Sequence, residues 1–174
     1  MPLLVLFVIG IFDFSNAFTL KQKLTNIARD AARIAAADPA SDLSQPVNPI
    51  PVSVADAYQA IDNYLNANNI NDCGLTANST PSGLTWVFTA NGNGCPTAGI
   101  TITVNRGYYF PVTGATLPTV SCTSQNPNGN LAVVGTCVSI QYAYRWQFGR
   151  IASLFQNTTL PTTLNSVAVA MNEN

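Results

Sequence analysis

At 174 residues the chain is long enough for one domain, or for a rod carrying one small head. Lys, Arg, Asp and Glu make up 9% of it, against about 25% in ordinary soluble domains, and the formal net charge is −1. That balance argues against nucleic acid or any other polyanion as a partner, and a sequence without a single His lacks the commonest general base and the commonest metal ligand.

The stretch from Pro2 to Ala37 reads as one long helix. Leu3 to Phe12 carries no charge; Asp13 follows, then a polar notch at Ser15 and Asn16, then Ala17, Phe18 and Leu20. From there apolar residues fall at Leu24, Ile27, Ala31 and Ile34, steps of four and three that mark one helix face. Pro39 disfavours helix in the residue before it and predicts the end. Residues 1–20 as a helix span about 30 Å, the thickness of a bilayer core, with Asp13 as a costly charge inside. A cleaved secretory signal fits poorly, because Met1-Pro2 brings no basic start and the apolar pattern runs on into the helix.

Residues 38–52 read as a linker, with Pro39, Pro46, Pro49 and Pro51 opposing helix. Residues 53–174 read as a β-rich globular head that opens on a helix over 53–68. Its apolar stripe is Val54, Ala57, Tyr58, Ile61, Tyr64 and Leu65, and Ser53 with Asp56 resembles a weak capping box. After Cys73 the period changes to two. Leu84 to Thr89 and Ile100 to Val104 predict a hairpin about the turn Asn91-Gly-Asn-Gly94. Tyr108-Tyr-Phe-Pro111 is expected as a frayed strand end or as aromatics folded onto the rod, and 112–130 as a long surface loop. Residues 131–134, 137–146 and 162–171 read as further strands, with Val138, Ile140, Tyr142, Tyr144 and Trp146 on one face. Phe155 is the expected anchor of the connector 149–160. The expected fold class is α+β, with one helix on an antiparallel sheet of about four or five strands.

Four cysteines in a charge-poor chain without Cys-x-x-Cys spacing read as two disulfides rather than a metal site. Three pairings are open; sequence neighbours, Cys73 with Cys95 and Cys122 with Cys137, are the expected ones.

Asp13-Phe-Ser-Asn-Ala-Phe18 and Leu24-Thr-Asn-Ile-Ala-Arg-Asp-Ala-Ala-Arg33 resemble the start of TadE-like pseudopilins of tight-adherence (Tad), type IV pilus-like systems. The family elements read here Gly10-Ile-Phe-Asp13-Phe14 and Ala28-Arg29-Asp30-Ala31-Ala32-Arg33. The resemblance covers about 37 residues, with a weaker echo at the C-terminal strand, and implies a pilin-like architecture translocated across an inner membrane. Family precursors carry a basic leader, a peptidase site and a Glu ahead of the proline. The sequence from Met1 does not contain them, which leaves Asp13 as the one carboxylate of the apolar stretch. In pilins such a carboxylate can neutralise a neighbour's α-amino group, so the resemblance suggests Asp13 as an intersubunit charge partner. The competing expectation pairs it with its own helix, through Ser15, Asn16 or the backbone of a neighbour.

No catalytic, cofactor or metal site is expected. Glu173 is the only Glu and lies at the C-terminal end, so paired carboxylates for hydrolysis are missing. Asn69-Ile-Asn-Asp72 has no EF-hand spacing. Asn78-Ser-Thr80 and Asn157-Thr-Thr159 match the short N-glycosylation pattern. The expected function is a structural subunit of an extracellular, cell-surface filament, inserted in the inner membrane before assembly and binding no small molecule. Its partners are copies of itself. Leu3, Leu6, Phe7, Ile9, Gly10, Phe14, Ala17, Phe18, Leu24, Ile27 and Ala31 are the expected core-packing residues of that filament. Small residues at Ala28, Ala32 and Ala35 are expected to let rods approach closely. The alternatives are a membrane-anchored accessory pseudopilin for a Tad pilus, and a secreted adhesin or binding module.

Overall fold

The computed structural model describes residues 2–44, 50–96, 98–111, 122, 132–147 and 161–173. Helix α1 runs over Pro2–Ala37 without a break, about 54 Å at 1.5 Å per residue. A short 3₁₀ turn, Ala40–Ser44, leads to α2, Val52–Ala67. Five strands follow: β1 Ser79–Ser82, β2 Thr85–Ala90, β3 Ile100–Pro111, β4 Ala132–Ala143 and β5 Thr163–Met171. They form one antiparallel meander in the order β1-β2-β3-β4-β5. The fold is α+β, as the sequence predicts, with two helices rather than one against the sheet.

Alternation places the core. Phe88, Ile102 and Ile140 stand opposite one another across β2, β3 and β4, and so do Trp86, Val104 and Val138. All six are buried on the face that carries the helices. Helix α2 lays Val54, Ala57, Ile61 and Leu65 on that face and stacks Tyr58 on Phe88, with ring centroids 4.6 Å apart. The second half of α1 covers β4 and β5 beside it. There Leu24, Ile27, Ala28, Ala31, Ala32 and Ala35 enter the same core, facing Ala168 and Ala170 of β5. Small side chains on both sides allow close approach of helix and sheet. Thr25 and Ser166 share a hydrogen bond across this contact, at 3.2 Å.

Several expectations are corrected. The 38–52 segment does not part the rod from the head, because the second half of α1 is built into the head's core. The apolar stripe passes through Ala35 rather than Ile34, which stays partly exposed. A repeat that averages 3.5 residues drifts around a helix of 3.6 per turn. Ser53 does not cap α2: Pro51 holds the cap position, and the Ser53 hydroxyl is buried without a hydrogen-bond partner. The cap comes from Asp42 of the 3₁₀ turn, whose Oδ2 accepts the Ser53 backbone N–H at 2.9 Å. β1 was not predicted; its burial pattern is almost wholly exposed, so it carries no alternating signal. Strand β4 is continuous from 132 to 143 instead of two pieces, since Gly135 and Thr136 pair with Met171 and Ala170 of β5.

A bulge in β3 decides the rest. The register with β4 shifts by one residue between Asn105 and Tyr108. Such a slip exchanges the two faces of the strand. Tyr108 therefore packs with Cys122, Cys137, Val167 and Val169 on the face away from the helices, not onto the rod. The Cys122–Cys137 disulfide lies there. A Cβ on Gly107 within the bulge would come within 2.7 Å of the end of the Leu84 side chain, which would have to shift to admit it. The Cys73–Cys95 disulfide ties the α2 exit to the hairpin turn, where Asn93 and Gly94 adopt positive φ. Of the remaining expectations, the 112–130 loop apart from Cys122, the 149–160 connector with Phe155, and Asn157 lie outside the described residues. Asn78 is exposed just before β1.

Candidate functional site

The first half of α1 behaves unlike the second. Phe7, Ile11 and Phe12 are 62%, 68% and 67% exposed, and Val8, Ile9, Phe14 and Phe18 are exposed too. Phe7, Ile11, Phe14 and Phe18 follow one another in steps of four, three and four, so they form one seam along the rod. A contiguous apolar row of this kind marks an interaction surface. Among the described residues, no helix is long and apolar enough to cross a membrane.

Asp13 is the exception on this half of the rod. It is buried against the head, and Tyr144, just past the end of β4, donates its phenol O–H to Asp13 Oδ1 at 3.0 Å. Burial and this hydrogen bond push the Tyr144 phenol up to about 12, since the neighbouring carboxylate opposes a phenolate. Tyr144 is also in edge-on contact with Trp146, which lies 5.9 Å from Phe14, centroid to centroid. The Trp146 indole N–H donates to the Pro161 carbonyl at 2.6 Å. These contacts form the head side of a groove of about 530 Å³ between rod and sheet. Phe14, Ala17, Phe18 and Lys21 line one wall; Trp146, Pro161, Thr163, Leu164 and Asn165 line the other. Burial lowers the pKa of the Lys21 ammonium at its end.

At the far end of α1 the sheet clamps the helix terminus. Arg106 follows Ile102 and Val104 in the alternation of β3 and so enters the core on the helix-facing side, where its relative exposure is 0%. Nη1 donates to the Ala35 carbonyl and to Thr136 Oγ1, the latter at 3.1 Å, and Nη2 donates to the Asp38 carbonyl at 3.0 Å. A guanidinium at a helix C-terminus satisfies carbonyls that have no intrahelical partner and opposes the negative end of the dipole. Burial lowers its pKa, while the negative charges of Asp42 and Asp38 act the other way. Burial raises the Asp38 carboxyl, the negative charges of Asp56 and Asp42 add to this, and Arg106 opposes it. The Thr136 hydroxyl donates to Asn172 Oδ1 at 2.7 Å, and the Glu173 N–H donates to the Ala36 carbonyl. The C-terminal strand thus closes on the same helix end.

Residues 1–33 match the family model of TadE-like protein. The match covers the rod and stops short of the head. No curated protein and no solved structure matches the chain. A TadE-like rod over a five-stranded antiparallel head, with two disulfides, is a pilin-like α+β architecture.

Around the TadE-like rod the expected packing residues divide into groups. Phe7, Ile9, Phe14 and Phe18 are exposed, and a Cβ on Gly10 would meet nothing within 4 Å. Ala17, Leu24, Ile27 and Ala31 are buried within the chain itself. The alanines at 28, 32 and 35 join them there and admit the sheet rather than a neighbouring rod. Leu3 and Leu6 lie within α1, with their side chains outside the description. Asp13 accepts a hydrogen bond from Tyr144 on the head. No sequence expectation singles out Arg106; a lone Arg in an otherwise uncharged β-stretch is the signal that could have found it. Among the described residues, no three His, Cys, Asp or Glu side chains converge on a metal-sized site.

Proposed function

We propose that the chain is the structural subunit of an extracellular pilus-like filament, its rod tips packing into the core and its disulfide-stapled heads forming the wall. The exposed apolar row from Phe7 to Phe18 carries this reading. Burying a large apolar side chain contributes about 2 kcal/mol, so several of them in a row favour membrane or protein over water. Rods inserted in the inner membrane before assembly, then transferred to one another, satisfy the same surface twice. The low charge of the head lets copies crowd with little repulsion. The TadE-like family consists typically of non-enzymatic structural or assembly proteins, which supports a role without catalysis.

The family match also favours a second reading, a membrane-anchored accessory pseudopilin serving a Tad pilus built from another subunit. Cryo-electron microscopy of sheared cell-surface material, with intact-mass analysis of its subunits, separates the two. Filaments composed of this chain are the expected result. Recovery of the chain at low copy in the inner-membrane fraction, beside filaments of a different subunit, would establish the accessory role instead.

A further inference from the structure

The groove between rod and head needs an apolar occupant, and the chain carries a suitable one that cannot reach it intramolecularly. Its rod wall is Phe14 and Phe18; its head wall is Trp146, Pro161 and Leu164. Phe7, Ile11 and Phe12 are of matching chemistry and are largely exposed. They belong to the same unbroken helix as the groove's own wall. Ile11 lies three residues, about 4.5 Å along the axis, before Phe14. It cannot turn back into the groove, so only another copy can supply this segment.

Resting on the filament reading above, we infer that the groove is the docking site for the rod tip, residues 7–12, of a neighbouring copy. Donor and acceptor are different patches of one chain, so the contact is heterologous and propagates rather than closing into a two-fold dimer. Large aromatic side chains bury about 150–250 Å² each. Phe7, Ile11 and Phe12 against Phe14, Phe18 and Trp146 would together remove on the order of 1,000 Å² from water, the lower bound of a specific interface. The acceptor is also held in shape before docking. Tyr144 bonded to Asp13, and Trp146 bonded to the Pro161 carbonyl, fix the head wall against the rod. Residues 3–12 bring no charge, so docking adds no ion beside the Lys21 ammonium at the groove's end.

The test is a cysteine scan in the full chain, with Thr163→Cys on the groove wall combined in turn with Cys at Phe7, Val8, Ile11 or Phe12. The native cysteines are already paired. Oxidised filaments are expected to give a ladder of cross-linked multimers from at least one double variant and from none of the single variants. In parallel, Thr163→Trp fills the groove from its rim and is expected to lower filament yield at least tenfold, with the unfolding midpoint of the head unchanged. Filaments that form without any ladder, or at normal yield with Thr163→Trp, overturn the groove assignment and leave the filament reading standing. A lipid or detergent molecule retained in the groove of assembled filaments also overturns it. Failure of the unmodified chain to form filaments at all removes both readings together.

Discussion

Between Phe7 and Phe18 the large side chains of α1 stand exposed, whereas from Ala28 to Ala36 the same helix buries almost nothing larger than a methyl group. Hydrophobicity alone would invert this assignment, since the tip is far more apolar than the root. The difference is one of fit. The root lies close against β5, where Ala168 and Ala170 leave room only for small partners. Among the described residues, most of the tip's large side chains have no surface of their own head to meet. Burial in the root therefore stabilises the monomer, and the exposed apolar area of the tip stays available for a contact between molecules.

Charging the tip breaks the comparison most severely. Phe7→Asp combined with Ile11→Asp is expected to abolish filament formation, while the head's unfolding midpoint moves by no more than about 1 °C, since neither side chain touches the core. Electron microscopy and thermal circular dichroism read the two halves separately. Arg106→Met does the reverse. It leaves the Ala35 and Asp38 carbonyls buried without their donor and is expected to cost about 4 kcal/mol in urea unfolding. A smaller loss, about 2 kcal/mol, is expected for Ala31→Leu, which overpacks the root against the sheet. At Gly10 on the tip the same change to Leu has open space and should leave monomer stability nearly unaltered.

The smallest effect sharpens the boundary between tip and root. Tyr144→Phe removes the hydrogen bond to Asp13 and is expected to cost about 1 kcal/mol. Because the phenol is raised from 10 to about 12 on folding, its contribution is complete below pH ~10 and is lost as pH rises through 12. Unfolding curves of the unmodified chain should therefore show a fall in stability over that window that is weaker in the variant. An equal slope in both would show that Tyr144 does not hold the carboxylate.

Much of this was legible beforehand. The extent of α1, α2 to within a residue at each end, the hairpin about Asn91 to Gly94 and the sheet of antiparallel strands all follow from periodicity and turn chemistry. Of the three cysteine pairings open from the sequence, the expected one between sequence neighbours is the one present. The TadE-like character of the rod is written in its first 33 residues. What escaped the sequence are Arg106 at the end of α1, Tyr144 on Asp13, the flipped Tyr108 and the capping of α2 by Asp42. Each joins residues distant in the chain or depends on a one-residue slip, and neither kind of information is periodic.

By itself, then, the sequence determined which segments are helix and strand, that the rod tip is too apolar for water, and that the chain lacks the residues for ordinary acid–base chemistry. These are local properties, fixed by side-chain shape, spacing and composition. Only the tertiary structure decided which face of the rod belongs to the head, which apolar residues remain for a partner, and that a buried Arg joins sheet to helix. Those outcomes depend on the close approach of the rod's alanines to β5 and on which carbonyls come within reach of Arg106, because burial is settled by which surfaces meet and not by how apolar each one is.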